Sequence, residues 1–336
     1  MLTSIKYSAY IAVVSFLFSA AACKNNKSVA SAERPAGDSL SVVTADTVLS
    51  VNYDNPAAKE KILLRFNPEI GKTYFITNNS NYNALQARDS DKINSTSKEY
   101  AKISLKVLGK TNDVFKMEFT LTDSHKTATN DSASIEYQYG KALADPEADT
   151  ERMIEDCMVN TPMTIYLTSR GESAGVDGYD AIIDKVKKIV GTEIPDQYLA
   201  QEVGTPTDNI ENYFIVYPDT AIRIGDTWNY VINTNFSGVP IVLTNLYTLA
   251  DRKDGKAIIN INSRVQIDTG KLAPEMAAQM TSLKFNAYIK GTGEIDEKTG
   301  WPTIMRLSQG MNMSDAYQGH NMKTSQSNST VIRLVE

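Results

Sequence analysis

KISLKVLGKTNDVFKMEFTLTD, residues 102–123, alternates apolar and polar side chains with little interruption. Ile103, Leu105 and Val107 fall two apart. After the turn-like stretch Gly109–Asp113, so do Phe115, Met117, Phe119 and Leu121. Successive side chains of a strand point to opposite faces, so the segment is a β-hairpin with one buried and one wet face. LYTLADRKDGKAIININSRVQID, residues 246–268, repeats the pattern, with Asp254-Gly255 as the turn and Ile259, Ile261, Val265 and Ile267 as the buried side.

Two further pairs of segments echo each other. EIGKTYFITNNSN (69–81) and RIGDTWNYVINTN (223–235) both place Ile-Gly, a charged residue, Thr and an aromatic before an Asn-rich alternating run. TIYLTSRGESAGVDG (164–178) and NAYIKGTGEIDEKTGWP (286–302) read as strands ending at Gly171 and at Gly293. These echoes predict two related β units, 61–203 and 204–336, the first enlarged by the acidic stretch ADPEADTERMIED (144–156). The expected class is mainly β (α+β), each unit a curved antiparallel sheet or open barrel with a few short helices packed on it. The clearest helix is GYDAIIDKVKKIVG (178–191), where Tyr179, Ile182, Ile183, Val186, Ile189 and Val190 form one apolar stripe closed by Gly191. Shorter helices are expected over Asp196–Val203 and Pro274–Leu283.

The chain opens with MLTSIKYSAYIAVVSFLFSAAACKNNKS (1–28). Lys6, the short apolar run Ala9–Phe18 and the small residues Ala20–Ala22 read as a secretory signal over 1–22, too short for a comfortable bilayer span. A cysteine directly after three alanines resembles the bacterial lipobox, which implies acylation of Cys23, although Ala20 stands where that pattern prefers Leu. Residues 23–60 then read as the lipidated cysteine and a flexible Ser-, Ala-, Asn- and Asp-rich tether.

With Cys23 occupied by lipid, Cys157 is left without a disulfide partner, so folding rests on core packing. A net charge of -6 and the lack of a basic run exclude a nucleic-acid footprint. Two histidines, His125 and His320, and a single remaining thiol are too few for a His/Cys zinc site. Asp145, Glu147, Asp149, Glu151, Glu155 and Asp156 crowd one loop without the Gly-punctuated order of a calcium loop, so no metal and no cofactor is expected. Gly171–Gly175, GESAG, matches the nucleophile-elbow pattern, with His320 downstream in triad order. Antiparallel neighbours argue instead for a hairpin turn. Trp228 and Trp301 stand beside turns, where aromatics pack on a core or line a sugar or lipid cleft.

LLRFNPEIGKTYFI (63–76), MTIYLTSRGESAGVDGYDAIIDKV (163–186), YPDTAIRIGDTWNY (217–230) and GTGEIDEKTGWPTIMRL (291–307) together resemble an uncharacterised family of secreted Bacteroidota lipoproteins, a domain of unknown function. The resemblance implies export, lipidation and a β-rich fold, and supplies no catalytic residues. At fold level there is a more distant similarity to periplasmic lipoprotein carriers. If the source is of that phylum, Asp38-Ser39-Leu40 and Asp46-Thr47-Val48 look like its O-glycosylation sites. Lys24-Asn25-Asn26 lacks its acidic surface-export signal, which favours a periplasm-facing outer-membrane position.

The expected function is therefore that of a lipid-anchored envelope protein, a non-enzymatic binder or scaffold. Its partners would be the membrane through acylated Cys23, and a hydrophobic ligand or an envelope protein. The stripe Tyr179–Val190 and the Met-rich segment Met276–Met280 motivate the hydrophobic ligand. The alternatives are an envelope hydrolase of glycan or ester bonds and a subunit of a larger outer-membrane assembly.

Overall fold

The computed structural model describes residues 48–131, 134–140, 155–190, 213–236, 239–272, 284–317 and 320–335. The first part of the chain supplies β1 (Thr73–Arg88), β2 (Asp91–Thr111), β3 (Val114–Asn130), β4 (Ser134–Gln138), β5 (Met163–Thr168) and β6 (Ser173–Asp177), followed by helix α1 (Tyr179–Val190). The second supplies β7 (Thr227–Phe236), β8 (Val239–Lys253), β9 (Lys256–Ile267), β10 (Lys284–Asp296), β11 (Pro302–Tyr317) and β12 (His320–Val335).

All twelve strands belong to one antiparallel sheet in the order β6-β5-β3-β2-β1-β12-β11-β10-β9-β8-β7, with β4 paired to β3. The seam is β1 against β12, in continuous register from Phe75 opposite Val335 to Arg88 opposite Met322. This overturns the expected α+β fold of two related units. The alternation predicted the hairpins, but the first and last strands pair with each other and fuse the two halves into one sheet.

The sheet curls with its apolar face inward and does not close. Residues 215–217 prove the curl. The Val216 carbonyl accepts from Trp228 Nε1 of β7 at 2.7 Å. Tyr217 donates its N–H to Arg170 O at 2.8 Å and accepts from Arg170 Nε at 2.8 Å. Arg170 follows β5, so two adjacent residues grip the strand pairs at the two opposite edges. Between β5 and β10 lie six strand steps, about 29 Å in a flat sheet at ~4.8 Å each. Yet Ile215 also fills the space in front of Gly293 of β10, where a Cβ would meet its side chain at 2.7 Å. Only a curved sheet lets so short a segment touch both. Gly293 thus sits inside β10 rather than ending a strand, contrary to the sequence reading, because its missing side chain makes room for Ile215.

One hydrophobic core fills the end of the bowl holding the β2–β3, β8–β9 and β10–β11 turns. Leu105, Val107, Phe115, Met117, Ile165, Leu249, Ile259 and Ile295 are among its most buried members. Phe66, Tyr74 and Trp301 stack there, with ring centroids 4.9 Å (Phe66–Trp301) and 4.4 Å (Tyr74–Trp301) apart. Helix α1 turns Ile182 and Val186 into the same core, with Tyr179 and Ile183 packed against it. Ile189, assigned to the stripe by sequence, is 54% exposed.

The chain is already hydrogen-bonded to the sheet at Leu49, within the stretch 23–60 expected to be a tether. Leu49 gives its N–H to Asn260 Oδ1 and receives Asn260 Nδ2 on its carbonyl, and Asn52 N–H bonds Ala250 O. Ile62 then bridges Ile222, and Phe66 N–H bonds Ser169 O. This strap crosses from β8–β9 to the β5–β6 turn.

The Ile-Gly echo is a shared way of entering a strand. Gly71 (φ +85°) donates to Val107 O while Val107 donates to Lys72 O. Gly225 (φ +93°) donates to Leu249 O while Leu249 donates to Asp226 O. Both glycines occupy the left-handed region that side chains resist.

Candidate functional site

The residues singled out by sequence do not converge. Ser173 lies on β6 opposite Leu167, so GESAG forms a hairpin rather than a strand–turn–helix elbow. His320 begins β12 at the far end of the sheet, the 16-residue length of that strand away, on the order of 50 Å. An esterase dyad is excluded by that topology. His125 is on the convex face, 3.5 Å from Glu136. Cys157 is a buried free thiol, its pKa pushed up chiefly by burial. Among the described residues no three His, Cys, Asp or Glu side chains form a group able to hold a metal ion. Asp145, Glu147, Asp149 and Glu151 lie outside the described residues, whereas Glu155 accepts a hydrogen bond from Ser124. Cys23, the tether sites near Ser39 and Thr47, the helices expected over Asp196–Val203 and Pro274–Leu283 and the Met276–Met280 segment also lie outside them.

What the fold does assemble is a polar belt across the concave face, interrupted on β10 by Ile289, which lies between Ser263 and Gln309. Above the core, register places Asn245 beside Ser263, Gln309 beside Asn328, Asn328 beside Tyr82, and Tyr82 beside Ser97. One row nearer the core stand Thr330, Ser80, Glu99 and Lys126. Beyond the belt the face turns apolar again in a second cluster of Tyr82, Ala84, Ile241, Val265, Ala287 and Met311.

Much of the belt is internally bonded. Ser263 donates to Asn245 Oδ1 at 2.6 Å, and the Ser80 and Thr330 hydroxyls are 3.0 Å apart. Lys126 pairs with Glu99 at 3.1 Å, the two side chains only 12% and 22% exposed. Tyr213 accepts from Asn78 Nδ2 at 3.5 Å. Burial, then the Glu99 charge, pushes the Tyr82 phenol well above its ordinary pKa, so it stays a neutral donor. Three side chains break the pattern. Among the described residues, Ser97 Oγ, Asn328 Oδ1 and both amide atoms of Gln326 are buried with no hydrogen-bond partner, while Asn328 Nδ2 donates to Gln309 Oε1 at 3.5 Å.

Two cavities border the sheet, one on each face. One, under Phe214–Val216 and lined by Tyr230, Asn245, Ser263 and Gln309, measures about 40 Å³, room for a few waters but not for an acyl chain. The other, about 250 Å³, opens on the convex face between Asn83, Leu85, Asn94, Thr96, Ser325 and Ser327 of β1, β2 and β12.

The convex face carries the charge. Lys98, Lys106, Lys116, Arg264, Lys290 and Arg333 alternate with inward apolar or polar neighbours and are exposed. A membrane-spanning barrel needs the reverse, an apolar band outward. Among the described residues no helix is long and apolar enough to cross a membrane.

Sequence reasoning missed the belt. Its trace is polar residues at inward strand positions, such as Ser97, Asn245, Gln326 and Asn328, but only the register reveals that they share one height.

Among solved structures, OccK7 of Pseudomonas aeruginosa is similar at 8% identity over 79% of this chain and 99% of its own, with a TM-score of 0.22. An outer membrane channel from Pseudomonas putida F1 is similar at 9% identity, 80% and 97% coverage and a TM-score of 0.19. A beta-barrel-like protein of a domain of unknown function from Brucella abortus is similar at 10% identity, 78% and 96% coverage and a TM-score of 0.12. Nothing is transferred from scores this low. No curated protein matches the chain in sequence. One family model does match, over residues 112–302, a span running from the β2–β3 turn to the start of β11 and crossing the boundary once expected near residue 203. The chain belongs to that family, DUF6263, a family of unknown function.

Proposed function

We propose that the protein is a non-enzymatic binding protein of the cell envelope, held to the outer membrane through acylated Cys23 and facing the periplasm, which carries an apolar ligand on its concave face. The observation that carries the reading is the asymmetry of the sheet. Its convex face is charged, whereas its concave face bears a second apolar cluster around Met311, set apart from the core by the polar belt. The secretory signal, the lipobox-like alanines before Cys23 and the Bacteroidota resemblance support the envelope address.

The ligand is placed here rather than between α1 and the sheet, because Ile182 and Val186 are fully buried in the core. Hydrolysis is not favoured, since Ser173 and His320 stand at opposite ends of the sheet.

Two measurements test the reading on the full chain. Feeding cells an alkyne fatty acid should label the wild type and leave Cys23→Ala unlabelled; equal labelling removes the anchor. Solvent extraction of purified Cys23→Ala protein, followed by mass spectrometry, should release an amphiphile near stoichiometric amount. Repeated preparations with nothing bound would remove the ligand.

A further inference from the structure

An open sheet has two edges, and here they are built differently. β6 is five residues long, shifts register between Tyr166 and Leu167 of β5, carries Gly175 at a φ of +145° and ends on Asp177. Short, bulged and charged edges resist further strands. β7 has none of these features. Its ten residues, Thr227–Phe236, include no Gly, Pro or charged side chain and keep unbroken register with β8. Among the described residues, β8 is the only strand paired with it.

Register fixes what this edge offers. Gly225 N–H bonds Leu249 O, and Leu249 N–H bonds Asp226 O. Hydrogen-bonded pairs of an antiparallel ladder recur every second residue, so they continue at Trp228 opposite Tyr247, Tyr230 opposite Asn245 and Ile232 opposite Leu243. The backbone N–H and C=O groups of Thr227, Asn229, Val231, Asn233 and Asn235 therefore point away from β8. The side chains of Thr227, Asn229, Val231 and Asn233 lie on the convex face and are exposed. Val231 is 46% exposed, and its diagonal neighbour Leu246 is 43% exposed. The segment 213–217 sits on the concave side of β7, where Val216 takes the Trp228 indole N–H, and not along this edge.

A row of backbone donors and acceptors is completed by another strand, and the side chains say which. Asn229-Tyr230-Val231-Ile232-Asn233 reads alike from either end, amide outside, large apolar group next, valine at the centre. A two-fold axis also brings each charge near it against its own copy, and β7 carries none to repel. We infer that the outer edge of β7 docks a second copy of the chain, the two β7 strands pairing antiparallel about an axis at Val231. That register sets Val231 opposite its own counterpart and Asn229 opposite Asn233 on the convex face, with Tyr230 opposite Ile232 on the concave one. The inference is independent of the reading of the concave face as a ligand site.

Full-chain Cys23→Ala protein is followed by sedimentation velocity over roughly 1–200 µM, the range in which so small an interface associates. The sedimentation coefficient should rise from that of a monomer to that of a dimer. Val231→Lys sets two ammonium groups face to face on the axis and should weaken association by roughly tenfold. Mild oxidation locates the surface. Val231→Cys should give disulfide-linked dimers, since paired Cα atoms lie ~5.5 Å apart, within disulfide reach. Asn229→Cys alone, and Thr244→Cys on β8, should not cross-link, each standing about 14 Å from its counterpart. An equimolar mixture of Asn229→Cys and Asn233→Cys should cross-link. A chain that stays monomeric throughout, with Val231→Cys unlinked, would overturn the inference and leave the edge to a strand of another protein. A dimer that Val231→Lys leaves intact would overturn it too, by placing self-association on a different face.

Discussion

If one sheet and one core unite the chain, damage at one edge must be felt at the other. Ile165 lies on β5, fully buried, with Met117 and Val176 as its cross-strand neighbours. Truncating it to alanine removes three carbons from a packed site, and such changes cost about 2–5 kcal/mol. For a sheet of this size that lowers the melting temperature by on the order of 10 °C. The only tryptophans, Trp228 and Trp301, lie on β7 at the opposite edge and in the β10–β11 turn. Urea unfolding of Ile165→Ala followed by tryptophan fluorescence should show a midpoint moved by the full destabilisation, coincident with the loss of far-ultraviolet circular dichroism. Two independent units would behave differently. The fluorescence midpoint would stay at its wild-type position while the circular dichroism split into two steps, and that result would refute the single-core argument.

Gly300→Ala should cost about 2–4 kcal/mol in the same denaturation assay, because a Cβ there would stand 2.1 Å from the Arg65 carbonyl at a φ of +63°. Burial pushes the Asp251 carboxyl up, but the side-chain amides of Asn52 and Asn55, the Arg252 N–H and the Lys253 charge outweigh it and hold the pKa below the usual value. Its contribution is therefore complete above the ordinary carboxylate pKa and is lost as pH falls through the lowered one. Asp251→Asn should flatten that acid limb of a melting-temperature profile without steepening the neutral one. The Cys157 thiol, buried and with its pKa raised, should ignore a disulfide reagent in the native Cys23→Ala chain and react stoichiometrically in urea.

The hairpins and α1 were legible because burial follows the periodicity of a single segment. Ile103, Leu105 and Val107, and Ile259, Ile261 and Val265, are all buried as the alternation required. The sheet order was not legible. Alternation tells which face of β1 is wet but not that its neighbour is β12, whose partner positions lie some 260 residues away, as Phe75 and Val335 do. The echo of Ile-Gly at residues 70–71 and 224–225 marks a shared strand entry, and two entries do not make two bodies. Most of the candidate site was hidden for the same reason. A serine at 97 or an asparagine at 328 looks like an ordinary lapse in a pattern until the register brings them to either side of Tyr82.

The gap between β6 and β7 is where the fold could fail, and adjacent residues Val216 and Tyr217 bridge it. Val216 takes the Trp228 indole N–H from one edge, and Tyr217 exchanges two bonds with Arg170 on the other. Tyr217 is also pinned by its hydroxyl to Gly300 O at 2.7 Å. If this segment works as a clasp, freeing either end should weaken the grip of the other. Trp228→Phe keeps an aromatic ring against Tyr247 but deletes the N–H. Arg170→Gln deletes the guanidinium Nε donor and the partly exposed ion pairs with Asp219 and Glu172, which by themselves are worth little. Each should cost about 1–2 kcal/mol, and the double variant should depart from their sum by more than about 0.5 kcal/mol. Side chains on opposite edges of a sheet, with no contact between them, would otherwise add. Additivity within about 0.3 kcal/mol would mean that residues 213–224 merely lie in the bowl, and that the curl is maintained by strand twist and core packing alone.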